Sequence, residues 1–267
     1  MMPENNMETI RLAPDPQCAA TQIVTLARPQ VHNAMNTQMW HELWDVLRDL
    51  AYRDEVRCLV FTGAGERAFS AGGDLKERNG MSDEAWALQH QLIEDVLLAL
   101  REFPWPTVAA TQGIAFGGGF ELALMCDFII ADATARYALP ESKLGILPGG
   151  GGLQNLARAA GMRRAKQMLY TGAELPVSTA HDWGVVNEVT PAGGALPRAL
   201  ELARQIAAGA PLSLRWAKTT VQQGGGMEFR GAYALDIAAH NLLVRTEDRR
   251  EGVRAFNEKR AARWSGR

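Results

Sequence analysis

The chain has 267 residues, 47% of them hydrophobic and 22% charged, enough to bury a sizeable core and too evenly composed for a disordered or fibrous protein. A formal charge of −2 and a pI near 6.2 give no electrostatic reason to expect nucleic acid or an anionic membrane as the main partner. Cys18, Cys58 and Cys126 are odd in number and free of any CxxC or His-flanked pattern, which excludes a disulfide framework and a zinc site and fits a reducing cytoplasm.

The opening MMPENNMETI lacks the basic and apolar regions of a signal peptide. No run approaches the ~20 apolar residues that span a bilayer, so a soluble cytoplasmic protein is expected. Residues 21–27 (TQIVTLA) alternate polar and apolar and read as a strand. Thr37 reads as the N-cap of an amphipathic helix to about Arg53, with Met39, Leu43, Val46, Leu47 and Leu50 on one stripe. Residues 56–62 (VRCLVFT) form a compact buried strand, and Gly63, Gly65, Gly72 and Gly73 make the next stretch a loop able to approach a ligand. A further helix starts at Ser82 or Asp83 and ends before Pro104.

Strand, glycine loop and helix then recur: residues 107–111 (TVAAT), the run Gly117-Gly118-Gly119, and a short apolar helix over 120–125. Residues 127–131 (DFIIA) and 185–189 (VVNEV) read as the last strands, and the alternation argues for an α/β core. Beyond Pro191, residues 196–208, 212–222, 227–243 and 247–263 all carry helical periodicity. The expected division is a core over residues 1–195 and a helical region over 196–267, whose apolar stripes would fold back or cover a neighbouring subunit.

Two carboxylates stand beside the glycine loops, Glu121 in Gly117-Gly118-Gly119-Phe120-Glu121 and Glu141 in Leu139-Pro140-Glu141. A strand that turns through glycines into a helix presents free N–H groups at the positive end of the helix dipole, where a developing oxyanion is stabilised. Gly72-Gly73 offers a second such N–H, and paired donors contribute on the order of 3 kcal/mol each to a transition state. Two glutamates add the proton donor and acceptor that water addition needs. Sharing one apolar pocket, they should titrate as a coupled pair.

Residues 68–77 (AFSAGGDLKE) resemble the first signature of the enoyl-CoA hydratase/isomerase, or crotonase, family. Four further segments agree in family order: Arg28-Pro29 with Asn33-Ala34-Met35, residues 113–127 (GIAFGGGFELALMCD), residues 140–152 (PESKLGILPGGGG), and residues 251–256 with 258–260. The resemblance implies a spiral of repeated ββα units with a C-terminal helical region that builds trimers or dimers of trimers. It places the two oxyanion-hole amides on Gly73 and Gly118, the catalytic acids on Glu121 and Glu141, and a water-orienting amide on Gly149. For the CoA part of an acyl-CoA thioester it implies Arg28, Ala34 and Ala71, with Phe256 and Lys259 reaching the CoA of a neighbouring subunit. No separate cofactor or metal is implied, since CoA belongs to the substrate.

By the resemblance, the presence of both acids favours water addition over isomerisation, dehalogenation or ring chemistry, and a hydrolase or isomerase on the same fold is the enzyme alternative, which product analysis with crotonyl-CoA distinguishes. The near-neutral charge and the glutamate pair oppose the other alternative, an RNA-binding relative. Leu153 and Asn155 stand where Thr and Arg are frequent in hydratases, and Phe120 replaces a smaller residue. Phe120 is expected to serve packing, and of the two uses open to Trp86, Leu88 and Leu92, lining the acyl pocket or packing in a helix core, the core is the expected one for an amphipathic stripe. A core aromatic is the default for Phe256, a solvated helix-end cation for Lys259.

Overall fold

The computed structural model describes residues 7–267, so the first six residues of the opening segment lie outside the described residues. The chain begins with an antiparallel hairpin, β1 (Ile10–Asp15) and β2 (Cys18–Leu26). The first strand was not expected, because Pro14 and Asp15 break its apolar pattern. A helix, α1 (Thr37–Ala51), follows, capped by Asn36, whose side chain accepts from the Met39 amide at 3.1 Å. The cap therefore precedes Thr37 by one residue.

From here each turn of the chain lays one strand in each of two sheets before a helix. The first turn is β3 (Cys58–Gly63), β4 (Ala68–Ser70), α2 (Leu75–Arg78) and α3 (Asp83–Arg101). The second is β5 (Thr107–Thr111), β6 (Ile114–Phe116) and α4 (Gly118–Met125). The third is β7 (Phe128–Asp132) and β8 (Arg136–Ala138), then a 3₁₀ turn at Glu141–Leu144, α5 (Gly152–Ala160) and α6 (Met162–Thr171). A short β9 (Leu175–Pro176), α7 (Val177–Asp182) and β10 (Glu188–Thr190) close the body.

The large sheet runs β1-β2-β3-β5-β7-β10 and the small one β4-β6-β8-β9. From β2 onward the large sheet is parallel, and β4, β6 and β8 run parallel in the small one. The result is a spiral of ββα turns. The last strand starts three residues later than expected: Val185 and Val186 are buried in the preceding loop, and pairing begins only when the Asn187 amide donates to the Ile129 carbonyl.

Period-two alternation assigns each face of the large sheet its own core. Leu59 and Phe61 face the main core with α1, α3 and α4. Cys58, Val60, Val108, Ala110 and Ile130 face the opposite side, where α8 (Ala195–Ala207) lies on them. That helix presents Ala195, Ala199 and Ala203, spaced by four, so its backbone can approach the sheet closely. The first helix beyond the Pro191 composition change is thus packed on the core. The remaining helices are α9 (Pro211–Gly224), α10 (Phe229–Val244) and α11 (Glu247–Asn257). The first two pack on each other and leave Val221, Phe229, Tyr233, Ile237 and Leu242 exposed. Among the described residues, no helix is long and apolar enough to cross a membrane.

Candidate active site

Three loops at one end of the strands meet around a single cleft of about 300 Å³. The first follows β4. Its shape is set by Asn33, fully buried in a left-handed conformation that Asn tolerates better than most residues. The Asn33 side chain accepts from the Arg28 amide and donates to the Ala64 and Ala68 carbonyls, while Ser70 Oγ donates to the Asn33 carbonyl. Residues 32–35 are then zipped to 71–74: Ala71 N–H donates to His32 O, Met35 N–H to Gly72 O, and Asp74 N–H to Met35 O. This brings Ala34 and Ala71 onto adjoining strands of one double loop.

Arg28 is fastened to the same loop by hydrogen bonds from Nη1 to Ala34 O at 2.6 Å and Asp74 Oδ2 at 2.9 Å. Asp74 also caps α2, and the guanidinium beside it helps hold its carboxyl below the usual carboxylate range against the opposing effect of burial. Arg28 is therefore a strut of the loop as much as a surface cation.

Gly72 has φ +92, and a Cβ there would meet Phe116 O at 2.7 Å, so this position needs glycine on both counts. Its turn presses the first loop against the second, at the start of α4. A Cβ built on Gly118 would stand 3.8 Å from the Gly73 nitrogen. Neither the Gly73 nor the Gly118 amide donates to a backbone acceptor among the described loop contacts, and both residues line the cleft.

Glu121 lies in the first turn of α4, only 5% exposed. Its Oε1 accepts from the amides of Gly150 at 2.7 Å and Gly152 at 2.9 Å, both in the third loop. Side chains at either glycine would collide with the carboxylate: a Cβ on Gly150 falls 3.1 Å from Oε2, and one on Gly152 falls 2.9 Å from Oε1. One oxygen is thus anchored by backbone, and Oε2 takes no part in either bond. Glu141, on the 3₁₀ turn after β8, is 8% exposed, and its buried Oε2 has no hydrogen-bond partner. Its Oε1 is 3.0 Å from where a Gly117 Cβ would be.

Burial pushes the Glu121 carboxyl up from 4.5 to about 7. The Glu141 charge adds to this, while the Gly152 and Gly150 amides and Arg78 oppose it. Burial raises Glu141 as well. For a carboxyl raised in the folded state, ionisation is what the fold disfavours. The cost is absent below about pH 4.5, grows through the window up to about pH 7 and is complete above it. Glu121→Gln is accordingly expected to melt above the wild type at pH 8 and level with it at pH 4. Thermal denaturation at the two pH values checks this.

The structure brings Gly73, Gly118, Glu121, Glu141, Gly149 and Ala71 to the cleft. It does not bring Phe256 or Lys259 there in the same chain. Phe256 is 84% exposed, which corrects the expectation of a core aromatic, and Lys259 is an exposed residue with φ +53 just past α11. Phe120 is fully buried with its ring 4.9 Å from that of Tyr137, as packing requires. Trp86 lines the cleft and Leu88 is 74% exposed, so neither serves the helix core as expected; only Leu92 packs against it. Trp40, Arg78, His90 and Ile93 also line the cleft and were not anticipated. The only hint for Arg78 was a cation directly after the glycine-loop signature.

A two-sheet ββα spiral that gathers glycine-loop amides and two buried carboxyls around one cleft has the architecture of a crotonase-like enzyme. The enoyl-CoA hydratase/isomerase family pattern matches residues 18–267, and the chain belongs to that family. It is 37% identical over 246 residues to the 2,3-dehydroadipyl-CoA hydratase of Escherichia coli, covering 92% of this chain and 95% of that one. It is 35% identical over 238 residues to the short-chain-enoyl-CoA hydratase of Clostridium acetobutylicum, covering 89% and 91%. The crystal structure of an enoyl-CoA hydratase from Bacillus anthracis superposes with a TM-score of 0.94 at 35% identity, over 97% of this chain and 100% of that one. The chain is thus an enzyme of the enoyl-CoA hydratase/isomerase type.

Proposed function

We propose that the protein adds water across the α,β-double bond of an enoyl-CoA thioester. The observation that carries this reading is the pair of carboxyls in one cleft, each raised by burial, one anchored through a single oxygen and the other with an oxygen unpartnered. The thioester oxygen sits between the Gly73 and Gly118 amides, which draw electron density from the double bond and make the β-carbon electrophilic. Glu121, ionised, orients water through Oε2 and accepts its proton, with the Gly149 amide helping to place that water. Glu141, protonated, delivers a proton to the α-carbon.

Within this class the proposed substrate is 3-methylthioacryloyl-CoA, an intermediate of dimethylsulfoniopropionate degradation. In total length and in the placing of its glutamate pair, the chain resembles the bacterial hydratase for that thioester. Trp40 and Trp86 on the cleft wall support it, since a thioether sulfur gains roughly 0.3–1.5 kcal/mol against an aromatic ring. Water at the β-carbon gives a hemithioacetal, which expels methanethiol and leaves malonate semialdehyde-CoA. Having given up its proton, Glu141 is a carboxylate and can attack the thioester carbonyl. That attack breaks the C–S bond and expels CoA as the thiolate, which takes up a proton, leaving a mixed anhydride on Glu141. Water opens the anhydride, restoring the Glu141 carboxylate and releasing a β-oxo acid that loses carbon dioxide to give acetaldehyde. The similarity to a short-chain-enoyl-CoA hydratase supports a second reading, general short-chain enoyl-CoA hydration.

The CoA moiety would follow the double loop carrying Arg28, Ala34 and Ala71, with Phe256 and Lys259 supplied by a neighbouring subunit. The exposed apolar residues of α9 and α10 support assembly into trimers or dimers of trimers. A panel of enoyl-CoA esters, followed for double-bond absorbance, free thiol and acetaldehyde, tests the reading. Hydration of the methylthio ester with methanethiol and acetaldehyde release is expected. Hydration of crotonyl-CoA alone selects the second reading, and hydration of no ester ends both.

A further inference from the structure

Among the described residues, Arg78 is the one arginine or lysine that lines the cleft, and the two-acid mechanism leaves it without a task. It ends α2, and its Nε donates to Gln89 Oε1 at 2.9 Å. Gln89 is fixed in turn, donating to Thr37 Oγ1 at 2.7 Å and Glu77 Oε2 at 2.9 Å. The Trp86 indole covers one face of the guanidinium, 4.6 Å from ring centroid to Cζ. The neighbouring acid, Glu77, is engaged by Gln89 and by the Thr37 amide and makes no ion pair with Arg78. Among the described residues, neither Nη nitrogen of Arg78 donates to a protein group.

The guanidinium occupies the space that a Gly73 side chain would fill, with Cζ and both Nη atoms 3.1–3.3 Å from the position of a Gly73 Cβ. Burial lowers its pKa, opposed by the charges of Glu77 and then of Glu121, which lines the same cleft. The group therefore lies beside the Gly73 turn, in the same cleft as the acid that acts at the β-carbon. A half-buried planar fork with unfilled donors is matched by an oxygen acceptor on the ligand, and best by an oxyanion.

We propose that Arg78 receives an oxygen on the β-carbon of the acyl group, so that the cleft favours β-hydroxy- and β-oxoacyl-CoA thioesters over saturated ones of the same length. This deepens the reading of the cleft as a thioester site and rests on it. The oxygen installed by hydration, or the enolate oxygen of a β-oxo product, then has a charged donor, while the Gly73 and Gly118 amides hold the thioester oxygen at the other end.

The test is equilibrium binding by calorimetry, without turnover, of acetoacetyl-CoA and butyryl-CoA to the wild type, Arg78→Met and Arg78→Lys. The wild type is expected to bind acetoacetyl-CoA roughly 10- to 100-fold more tightly, the range of charge-assisted hydrogen bonds. Arg78→Met should bring the ratio close to one with butyryl-CoA affinity retained, which also reports an intact fold. Arg78→Lys, a point charge without the fork, should fall between. Equal binding of the two esters by the wild type, an undiminished ratio in Arg78→Met, or equal loss of both esters in that variant would overturn the assignment. A hydrating enzyme without the ratio sinks only the role of Arg78. A preserved ratio without hydration of any enoyl-CoA sinks the hydratase reading, and a wild type that binds neither ester sinks both.

Discussion

Glu121→Gln is expected to lower kcat for hydration by about 10²- to 10⁴-fold while leaving the loop that holds the residue in place. The separation is possible because both structural hydrogen bonds, from Gly150 and Gly152, converge on Oε1. A glutamine carbonyl can accept the same two amides. What it cannot do is take a proton at the position of Oε2. The loss should therefore fall on kcat and on kcat/KM alike, the signature of an interaction made in the transition state. The acid limb of the wild-type pH profile should report the same group: turnover rises as Glu121 ionises, with an apparent pKa of about 7. That limb should vanish in the variant. Steady-state kinetics from pH 5 to pH 9 measure both, and near-normal turnover in Glu121→Gln would remove the paired-acid mechanism.

What made Glu121 readable from sequence was its conflict with its neighbours, a carboxylate in the apolar segment FELALMC directly after three glycines. The strand at 107–111 was legible to the residue, because its apolar run is long enough to show and its ends are marked by Pro106 and Gly113. The three-residue strands β4, β6 and β8 were not, since three residues carry no period, and their pairing is imposed by the turns of the spiral. Helix α5 was hidden by the glycine run that starts it, which local propensity reads as loop. Trp40, Trp86, His90 and Ile93 come from α1 and α3, whose stripes look like ordinary core faces. Only the three-dimensional packing of α1 on α3 and of α3 on α4 reveals that part of each stripe lines a cleft.

Glu141→Ala carries the second large effect, and its expected result differs from that of Glu121 in what happens to stability. Hydration should again fall by about 10²- to 10⁴-fold, because no other side chain replaces the proton donor to the α-carbon. The fold, however, gains little from the carboxyl: Oε2 is buried without a partner, and burial raises the group against the smaller opposing effect of its own backbone amide. Removing an unpaired buried polar group relieves a penalty of about 1–3 kcal/mol, which offsets the packing lost with the side chain. The group opens on the cleft, so truncation enlarges an existing space rather than leaving a sealed void. The melting temperature of Glu141→Ala should therefore stay within a few degrees of the wild type near neutral pH. With malonate semialdehyde-CoA supplied directly, the variant should release no CoA above the uncatalysed rate, since the carboxylate that attacks the thioester is gone. Undiminished hydration would show that Glu141 is not the acid. Lost hydration with continued CoA release would show that the hydrolytic step does not pass through this residue.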